Sequence, residues 1–219
     1  RGSGEPLRDL TQRFGLTARD KVLAVSSLAF DLSVFDQFAL LGCGGSVVCP
    51  PESAVPDPQS WAESVHRHGV TVWNSVPALL ALTLEYLGEQ ARELLSSLRL
   101  VLLSGDWVPL PLLEQLARVC PDAEVIAMGG ATEASIWSNW FRATELPSDW
   151  QSVPYGTPLA NQTMHVLDRS MADTPTWVPG DLYIGGAGVA TGYLNDQALT
   201  ESSFLRHPAT GERLYRTGD

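Results

Sequence analysis

Short apolar runs alternate with amphipathic segments from Lys21 to Ala127, and this alternation restricts the folds that the chain can adopt. The apolar runs have the length of buried strands. They are Val22–Val25, Ser46–Cys49, Val70–Trp73, Leu98–Leu103 and Glu124–Ala127. Three segments between them begin at a proline and stop near a glycine or a proline, as helices do, and these are Pro58–His68, Pro77–Leu87 and Pro109–Val119. Strand–helix–strand repetition predicts an α/β fold, with a mostly parallel sheet flanked by helices.

The pattern changes near Trp150, where proline and glycine become dense. The apolar runs that follow, Thr163–Leu167 and Leu182–Ile184, are short. Such a region is typical of a small sheet or of a partial barrel. We therefore predict an α/β subdomain over residues 1–150 and a β-rich subdomain over 151–219, with a soft boundary near Leu146–Val153.

Composition argues against several classes of function. The net charge of −11 over 219 residues disfavours nucleic acid as a partner, because a phosphate backbone requires a basic surface. No apolar run is long enough to span a membrane and the first five residues are polar, so we expect a cytoplasmic protein without a signal peptide. The three cysteines and four histidines lack metal-binding spacings, and we expect buried, reduced thiols.

Three polar motifs follow predicted strands, at the edge where parallel sheets bind ligands. In Phe30–Ser33, Asp31 could cap a helix or pair with the ammonium group of a ligand. The glycine of Leu103–Asp106 would allow a flat ligand to approach the backbone. In Ala127–Glu133, two glycines expose N–H groups to an anion and Glu133 offers an oxygen ligand for Mg²⁺, although an ordinary turn has the same composition.

A glycine-rich tail completes the set, with Gly180–Leu194 followed by Tyr215–Asp219. Phe-Asp-x-Ser, Gly-Gly-Ala-Thr-Glu and this tail, in that order, resemble the adenylation domains of nonribosomal peptide synthetases, which are relatives of acyl-CoA ligases and firefly luciferase. The resemblance implies a fragment of the large N-terminal adenylation core. That family uses ATP and Mg²⁺ to join an amino acid carboxylate to AMP, with release of pyrophosphate. The acyl group then passes to the thiol of a peptidyl carrier protein, and an MbtH-like protein is a further implied partner.

The same resemblance implies roles at the nucleotide site. Thr132 and Glu133 are the implied catalytic residues, with Thr132 at the α-phosphate and Glu133 as the Mg²⁺ ligand, while Asp219 holds the ribose hydroxyls. The implied ATP-binding set is Gly105, Asp106, Ala127, Gly129, Gly130, Ala131, Thr132 and Asp219. Family members carry Tyr and Pro where this chain has Gly129 and Ala131, so adenine would lose one stacking face.

The resemblance also implies a pocket for the amino acid. Its residues are Asp31, Leu32, Phe35, Asn74, Leu102, Ser104, Met128, Ile136 and Trp137. Asp31 would hold the α-ammonium, Phe35 and Trp137 would close the pocket, and Asn74 and Ser104 would make it weakly polar. The set resembles cysteine-activating domains of thiazoline-forming siderophore assembly lines, with serine and glycine as competing substrates. Core packing is the alternative for its aliphatic members, Leu32, Leu102 and Ile136.

Two other functions stay open on this sequence. One is a non-catalytic, excised or degenerate adenylation core that serves as a folding or docking unit. The other is a carboxylate–CoA ligase, against which Asp31 argues because an acid without an amine gives that carboxylate no partner. The family's phosphate loop and catalytic lysine are absent from this sequence, so we expect little adenylation activity from these residues alone. We also expect Asp219 to lack the continuing backbone that would fix its position.

Overall fold

The computed structural model describes residues 4–51, 53, 55–144, 146–147 and 149–219. The α-helices are α1 Gly4–Arg13, α2 Leu32–Val34, α3 Leu40–Gly42, α4 Pro58–His68, α5 Pro77–Leu87, α6 Ala91–Leu94, α7 Leu110–Val119 and α8 Gln197–Ser203. Shorter turns are a π-helix at Phe35–Ala39 and 3₁₀-helices at Gly88–Gln90 and Thr132–Ala134. The strands are β1 Lys21–Leu23, β2 Ser46–Val48, β3 Val72–Ser75, β4 Leu100–Leu103, β5 Glu124–Gly129, β6 Asn139–Arg142, β7 Thr157–Pro158, β8 Gln162–Leu167, β9 Asp181–Gly186, β10 Phe204–Arg206 and β11 Arg213–Arg216.

All five strands predicted before residue 128 form, and they pair in parallel. Six strands follow one another in the order β2-β1-β3-β4-β5-β6. Parallel registers join β1 to β2 and β3, β3 to β4, and β4 to β5. Every residue of β3 and β4 is buried, as expected for strands covered on both faces. The predicted α/β fold with a mostly parallel sheet is confirmed.

The helices beside this sheet begin and end where local signals predict. The Asp57 carboxylate accepts a hydrogen bond from the Ser60 N–H at 3.1 Å, which caps the start of α4. Gly69 ends the same helix in a left-handed conformation. Their apolar faces pack on the sheet, and Trp61 of α4 meets Trp73 of β3 edge to face at 6.4 Å between ring centroids. This packing stabilises the sheet mainly through burial of apolar surface.

An ion pair ties the start of β1 to the start of β4. The Arg99 guanidinium donates to both Asp20 carboxylate oxygens, at 2.7 and 2.9 Å, in a bidentate geometry. Thr71 also donates to Asp20, at 2.8 Å. Burial alone would raise the pKa of Asp20, but the hydrogen bonds from Arg99, Thr17 and Thr71 outweigh it and lower that pKa to about 2. The pair therefore holds Asp20 ionised in the folded chain.

The C-terminal strands form an antiparallel sheet in the order β10-β11-β9-β8. The two predicted runs lie within β8 and β9, which pair along their whole length from Gln162–Gly186 to Leu167–Asp181. The β-rich character of this region is thereby confirmed. Strands β10 and β11 and helix α8 are additions that the sequence reasoning did not predict.

Contacts within the chain divide it into two compact units. The larger contains Leu10–Met128 and Trp140–Gly156, and the smaller contains the described residues up to Asp9 together with Gly129–Asn139 and Thr157–Asp219. The domain division at residue 150 stays a prediction, and its boundary includes residue 148, which lies outside the described residues. Within the described part of the chain, no helix is both long and apolar enough to cross a membrane.

The cysteines differ in exposure. Cys120 is buried, Cys43 is half-buried and Cys49 is exposed. The expectation of three buried thiols is therefore wrong for Cys49. The reason is that Cys49 follows β2, which lies at an end of the strand order rather than inside the sheet.

Candidate functional site

In the larger unit, predicted pocket residues lie where the central parallel strands end. Asn74 of β3 and Leu102 of β4 are register partners, and both are fully buried. Ser104 follows β4, is also buried, and its N–H donates to the Ser75 carbonyl at 3.3 Å. Parallel strands end at one edge of the sheet, so this edge concentrates the buried polar groups as open α/β ligand sites do.

The helical run after β1 supplies the polar partners of Asn74. The Asn74 Nδ2 group donates to the Asp36 carboxylate at 2.8 Å and to the Leu32 carbonyl at 3.1 Å. Leu32 and Phe35, two predicted pocket residues, lie in this run and are buried. Asn74 is thereby fixed to the same helical segment that carries them.

Asp36 is a buried acid that the sequence reasoning missed. Only 1% of its surface is exposed, and it lies in the π-helical turn Phe35–Ala39. Burial raises its pKa to about 7, although the hydrogen bond from Asn74 acts in the opposite direction. A signal was available, since Asp36 stands four residues after Leu32 and so on the same helical face.

Asp31 stands at the start of α2, where a helix cap was one of its two interpretations. The side chain makes no capping hydrogen bond to this helix, and its own backbone is already helical at φ −67° and ψ −17°. Among the described residues the capping interpretation is therefore not supported. Asp31 is half-buried, and it directly precedes Leu32, a buried residue of the predicted pocket.

The turn after β4 depends on its glycine. Gly105 has φ +80°, and a Cβ there would lie 3.2 Å from Val76 Cγ1 and 3.4 Å from the Phe30 ring. Both the conformation and the close approach favour glycine. Asp106 accepts a hydrogen bond from the Trp107 N–H at 2.7 Å. Ala127 of β5, another predicted ATP-site residue, is the register partner of Leu103 in β4.

In the smaller unit, the Gly-Gly-Ala-Thr-Glu segment forms a tight loop. A Cβ at Gly130 would lie 2.6 Å from the Ile136 carbonyl oxygen and 2.7 Å from Trp137 Cα, so only glycine fits. Ser135 and Ile136 both have positive φ, at 68° and 72°. This conformation is unfavourable for a β-branched residue such as Ile136, and backbone strain of this kind concentrates at ligand sites.

The glycine-rich tail holds this loop by three hydrogen bonds. The Tyr193 hydroxyl donates to the Glu133 carboxylate at 2.6 Å, and the Ala190 N–H donates to the Glu133 carbonyl at 2.8 Å. The Ser135 hydroxyl donates to the Gly188 carbonyl at 2.7 Å. A Cβ at Gly188 would lie 2.8 Å from the Ala134 carbonyl oxygen, so glycine permits this approach. The two motifs are thus one structural feature.

Two tyrosines stay protonated beside Glu133. The hydrogen bond to Glu133 raises the pKa of Tyr193 above its ordinary value. Burial, followed by the hydrogen bond with Tyr193, raises the pKa of Tyr215 still further. A protonated phenol is a hydrogen-bond donor, so Tyr193 can orient the Glu133 side chain.

The backbone of Asp219 is held at both of its polar groups. Its carbonyl accepts a hydrogen bond from the Leu182 N–H at 3.0 Å, and its N–H donates to the Thr217 hydroxyl at 3.1 Å. Thr217 is itself bonded to the Leu182 carbonyl. The expectation that Asp219 lacks a fixed position is therefore wrong, because β9 supplies the anchor.

Comparison with known proteins identifies the family. The model of the AMP-binding enzyme family matches residues 6–194. The chain belongs to this family. The resemblance to nonribosomal peptide synthetase adenylation domains is also confirmed, because known synthetases are among its similar proteins.

Several relatives of this AMP-binding chain are large synthetases. It is 45% identical to bacitracin synthase 1 of Bacillus licheniformis over 211 residues, which is 96% of this chain and 4% of that protein. It is 48% identical to pyochelin synthetase PchE of Pseudomonas aeruginosa, over 93% of this chain and 14% of that protein. The AMPPNP-bound crystal structure of the nonribosomal peptide synthetase FmoA3 matches with a TM-score of 0.96 and 42% identity, over 100% of this chain and 24% of that one. The chain thus spans a small part of these relatives.

The AMP-binding chain distributes its nine predicted pocket residues over both compact units. Seven lie in the larger unit, while Ile136 and Trp137 lie in the smaller one. Eight are buried and Asp31 is half-buried. Of the predicted ATP-site residues, Gly105, Asp106 and Ala127 belong to the larger unit and the others to the smaller unit.

The antiparallel sheet of this AMP-binding chain also gathers two histidines that are far apart in sequence. Ligand atoms of His165, Asp173 and His207 lie within 4.8 Å of one another. His165 Nε2 lies 3.2 Å from Glu212, and His207 Nδ1 accepts from the Ala209 N–H at 3.2 Å. Linear spacing did not predict this grouping, which arises from strand pairing. The contacts of these rings within the sheet are those of His165 Nε2 with Glu212 and of His207 Nδ1 with the Ala209 N–H.

Proposed function

We propose that this chain carries the amino acid pocket and the adenine and ribose side of an ATP-dependent aminoacyl adenylation site. The reaction would form aminoacyl-AMP before transfer to the phosphopantetheine thiol of a carrier protein in nonribosomal peptide synthesis. The observation that carries the proposal is the hydrogen bond from Tyr193 to Glu133. It joins the Gly-Gly-Ala-Thr-Glu loop to the glycine-rich tail and fixes a carboxylate there.

Each site residue then has a proposed role. Asp31 binds the α-ammonium, Thr132 contacts the α-phosphate, and Asp219 holds the ribose hydroxyls. Gly105, Asp106, Ala127, Gly129, Gly130 and Ala131 complete the ATP-binding set. Positioning is the main task of these groups, because the substrate carboxylate must attack phosphorus in line with the departing pyrophosphate.

Mg²⁺ fits the donor chemistry at Glu133. Magnesium prefers carboxylate oxygens together with substrate phosphates. Tyr193 holds Glu133 through Oε1 and leaves the residue half-buried rather than enclosed, so the carboxylate retains an oxygen for an ion. When bound, the ion would offset the negative charge of the phosphates.

We propose L-cysteine as the substrate. Within the larger unit, the large buried side chain of Phe35 favours a short substrate side chain, and the buried Asn74 and Ser104 add weak polarity. Serine and glycine are the competitors, since an apolar pocket separates thiol from hydroxyl by only a modest factor. The similar FmoA3 structure has also been solved with α-methyl-L-serine-AMP, which is in keeping with a small substrate in related pockets.

The proposed setting is a cytoplasmic synthetase that supplies a thiazoline-forming siderophore pathway. A peptidyl carrier protein and an MbtH-like protein are the proposed partners. We propose little exchange activity for the 219 residues alone, because Gly129–Glu133 contains no cationic side chain to neutralise the phosphates. Normal turnover by the isolated chain would refute that part of the proposal.

An amino acid panel in ATP–pyrophosphate exchange tests the function. The assay uses a synthetase that contains this chain, and exchange should be highest with L-cysteine. Higher exchange with serine or glycine would refute L-cysteine as the substrate. Activity restricted to acids without an amine would indicate a CoA ligase, and no activity with any acid would indicate a non-catalytic docking unit.

A further inference from the structure

Two buried acceptor atoms in the larger unit lack a hydrogen-bond donor among the described residues. They are Asp36 Oδ2 and Asn74 Oδ1, and the side chains that carry them are already bonded to each other. Neither side chain is accessible to water. Buried polar atoms in native structures nearly always have partners, so two orphans on neighbouring groups require an explanation.

The orientation of the Asn74 amide is fixed by the Leu32 carbonyl. A carbonyl oxygen can only accept, so the Asn74 atom that lies 3.1 Å from it must be the nitrogen. The other hydrogen of that nitrogen goes to Asp36 Oδ1. Both donor hydrogens of Asn74 are therefore used, and its oxygen remains an acceptor that needs a donor.

A protonated Asp36 would satisfy both orphans with one hydrogen. An acid offers one O–H donor, whereas a carboxylate offers none. Oδ2–H would donate to Asn74 Oδ1 while Oδ1 accepts from Asn74 Nδ2, which is a two-bond pairing of acid and amide. Burial raises the pKa of Asp36 to about 7, and no charged group among the described residues contributes to this shift.

We propose that Asp36 is a positioning residue that keeps its proton in the folded chain and locks the Asn74 amide through two hydrogen bonds. This inference rests on the proposed role of Asn74 in the amino acid pocket. With both amide hydrogens used, a substrate group that comes into contact with Asn74 on binding can only donate to its oxygen. The pocket should then favour a short side chain that donates a hydrogen bond, a thiol or hydroxyl, over a methyl group.

Carboxyl ¹³C resonances of labelled aspartate test the proton directly in the 219-residue chain. One resonance should titrate with a midpoint near pH 7, as burial predicts for Asp36. That resonance should be lost in Asp36→Asn and kept in Asp122→Asn, an exposed control. If no aspartate titrates well above the ordinary value of about 3.9, Asp36 is ionised and the proposal is wrong.

Matched substitutions test the positioning role in exchange assays of a synthetase that contains this chain. Asp36→Asn reproduces the donor and acceptor pattern of the acid, whereas Asp36→Leu removes both. We expect Asp36→Leu to raise KM for the amino acid by about tenfold or more, because the Asn74 amide is then no longer held in one orientation. Asp36→Asn should return KM most of the way to the wild-type value. Wild type should prefer cysteine to alanine by about tenfold or more.

The outcomes separate this inference from the proposed function. If Asp36→Asn is as impaired as Asp36→Leu, a carboxylate is required and the proton assignment is wrong. If both variants match wild type, Asp36 has no positioning role although the adenylation function stands. If wild type activates no amino acid, the proposed function and the positioning role fail together, and the titration still decides the protonation of Asp36.

Discussion

At the scale of single residues, the site is built from polar groups that other residues hold in place. Tyr193 orients Glu133, and Asn74 is fixed between Leu32 and Asp36. The residue types at most of these positions were identifiable from motifs. Asp36 lies in no motif: its spacing from Leu32 indicated only its helical face, whereas its importance depends on burial and on a partner in a strand thirty-eight positions away.

Tyr193→Phe should weaken the nucleotide site without unfolding it. The substitution removes one hydrogen bond to a charged group, worth about 1.5–3 kcal/mol. We expect KM for ATP·Mg²⁺ to rise by about tenfold, with the amino acid KM little changed. Tyr86→Phe, at an exposed tyrosine of α5, is the control. Equal KM values for both variants would show that Tyr193 does not position Glu133.

Asp36 should make the folded chain less stable as pH rises. Its pKa is about 7 in the folded chain and near 3.8 when unfolded, so the folded state binds the extra proton between these values. The free energy of unfolding should therefore be fully maintained below pH 4 and fall by up to about 4 kcal/mol as pH rises to 7. Urea titrations of wild type and Asp36→Asn measure this. If the free energy of unfolding depends on pH in the same way in wild type and in Asp36→Asn, this prediction is wrong.

At the scale of elements, local signals predicted some segments and failed on others. Helices α4 and α5 have the predicted ends because caps, prolines and glycines act within a turn or two. Strands β6, β10 and β11 carry no such signal, and β11 is defined in part by long-range pairing with β9, as with Tyr215–Ile184. The π-helical turn at Phe35–Ala39 was likewise unpredictable from a helical period.

The Asp57 cap gives a test at this scale. Asp57→Ala removes the acceptor for the Ser60 N–H and should lower the free energy of unfolding by about 1 kcal/mol. Asp57→Asn should retain most of the stability, since asparagine is an equally good cap. Chemical denaturation of the three proteins measures the effect. If Asp57→Asn lowers the free energy of unfolding as much as Asp57→Ala does, the charge of Asp57 matters rather than its capping hydrogen bond.

At the scale of the whole molecule, the Asp20–Arg99 pair joins segments seventy-nine positions apart in the sequence. Sequence patterns gave no indication of it, because neither residue lies in a motif. The parallel order of the sheet, by contrast, followed from the alternation of apolar runs and helices. The fold class was therefore predictable from the sequence, whereas long-range polar contacts such as this ion pair were not.

Breaking that pair should destabilise the chain strongly. Arg99→Met leaves Asp20 buried without its charged partner, which costs about 3 kcal/mol. Because the pKa of Asp20 is lowered to about 2, its contribution should be full above pH 4 and lost as pH falls towards 2. Unfolding curves at pH 6 and pH 2 measure this. A destabilisation by Arg99→Met that is as large at pH 2 as at pH 6 would contradict the assignment.

L-cysteine-dependent ATP–pyrophosphate exchange, compared between wild type and Asp31→Asn in a synthetase containing this chain, tests the central claim most directly. The proposal predicts exchange by wild type and a loss of about a hundredfold in kcat/KM in the variant, because the α-ammonium loses its charged partner. Asp122→Asn, at an exposed position, should keep wild-type exchange. Undiminished cysteine-dependent exchange by Asp31→Asn would contradict the proposal.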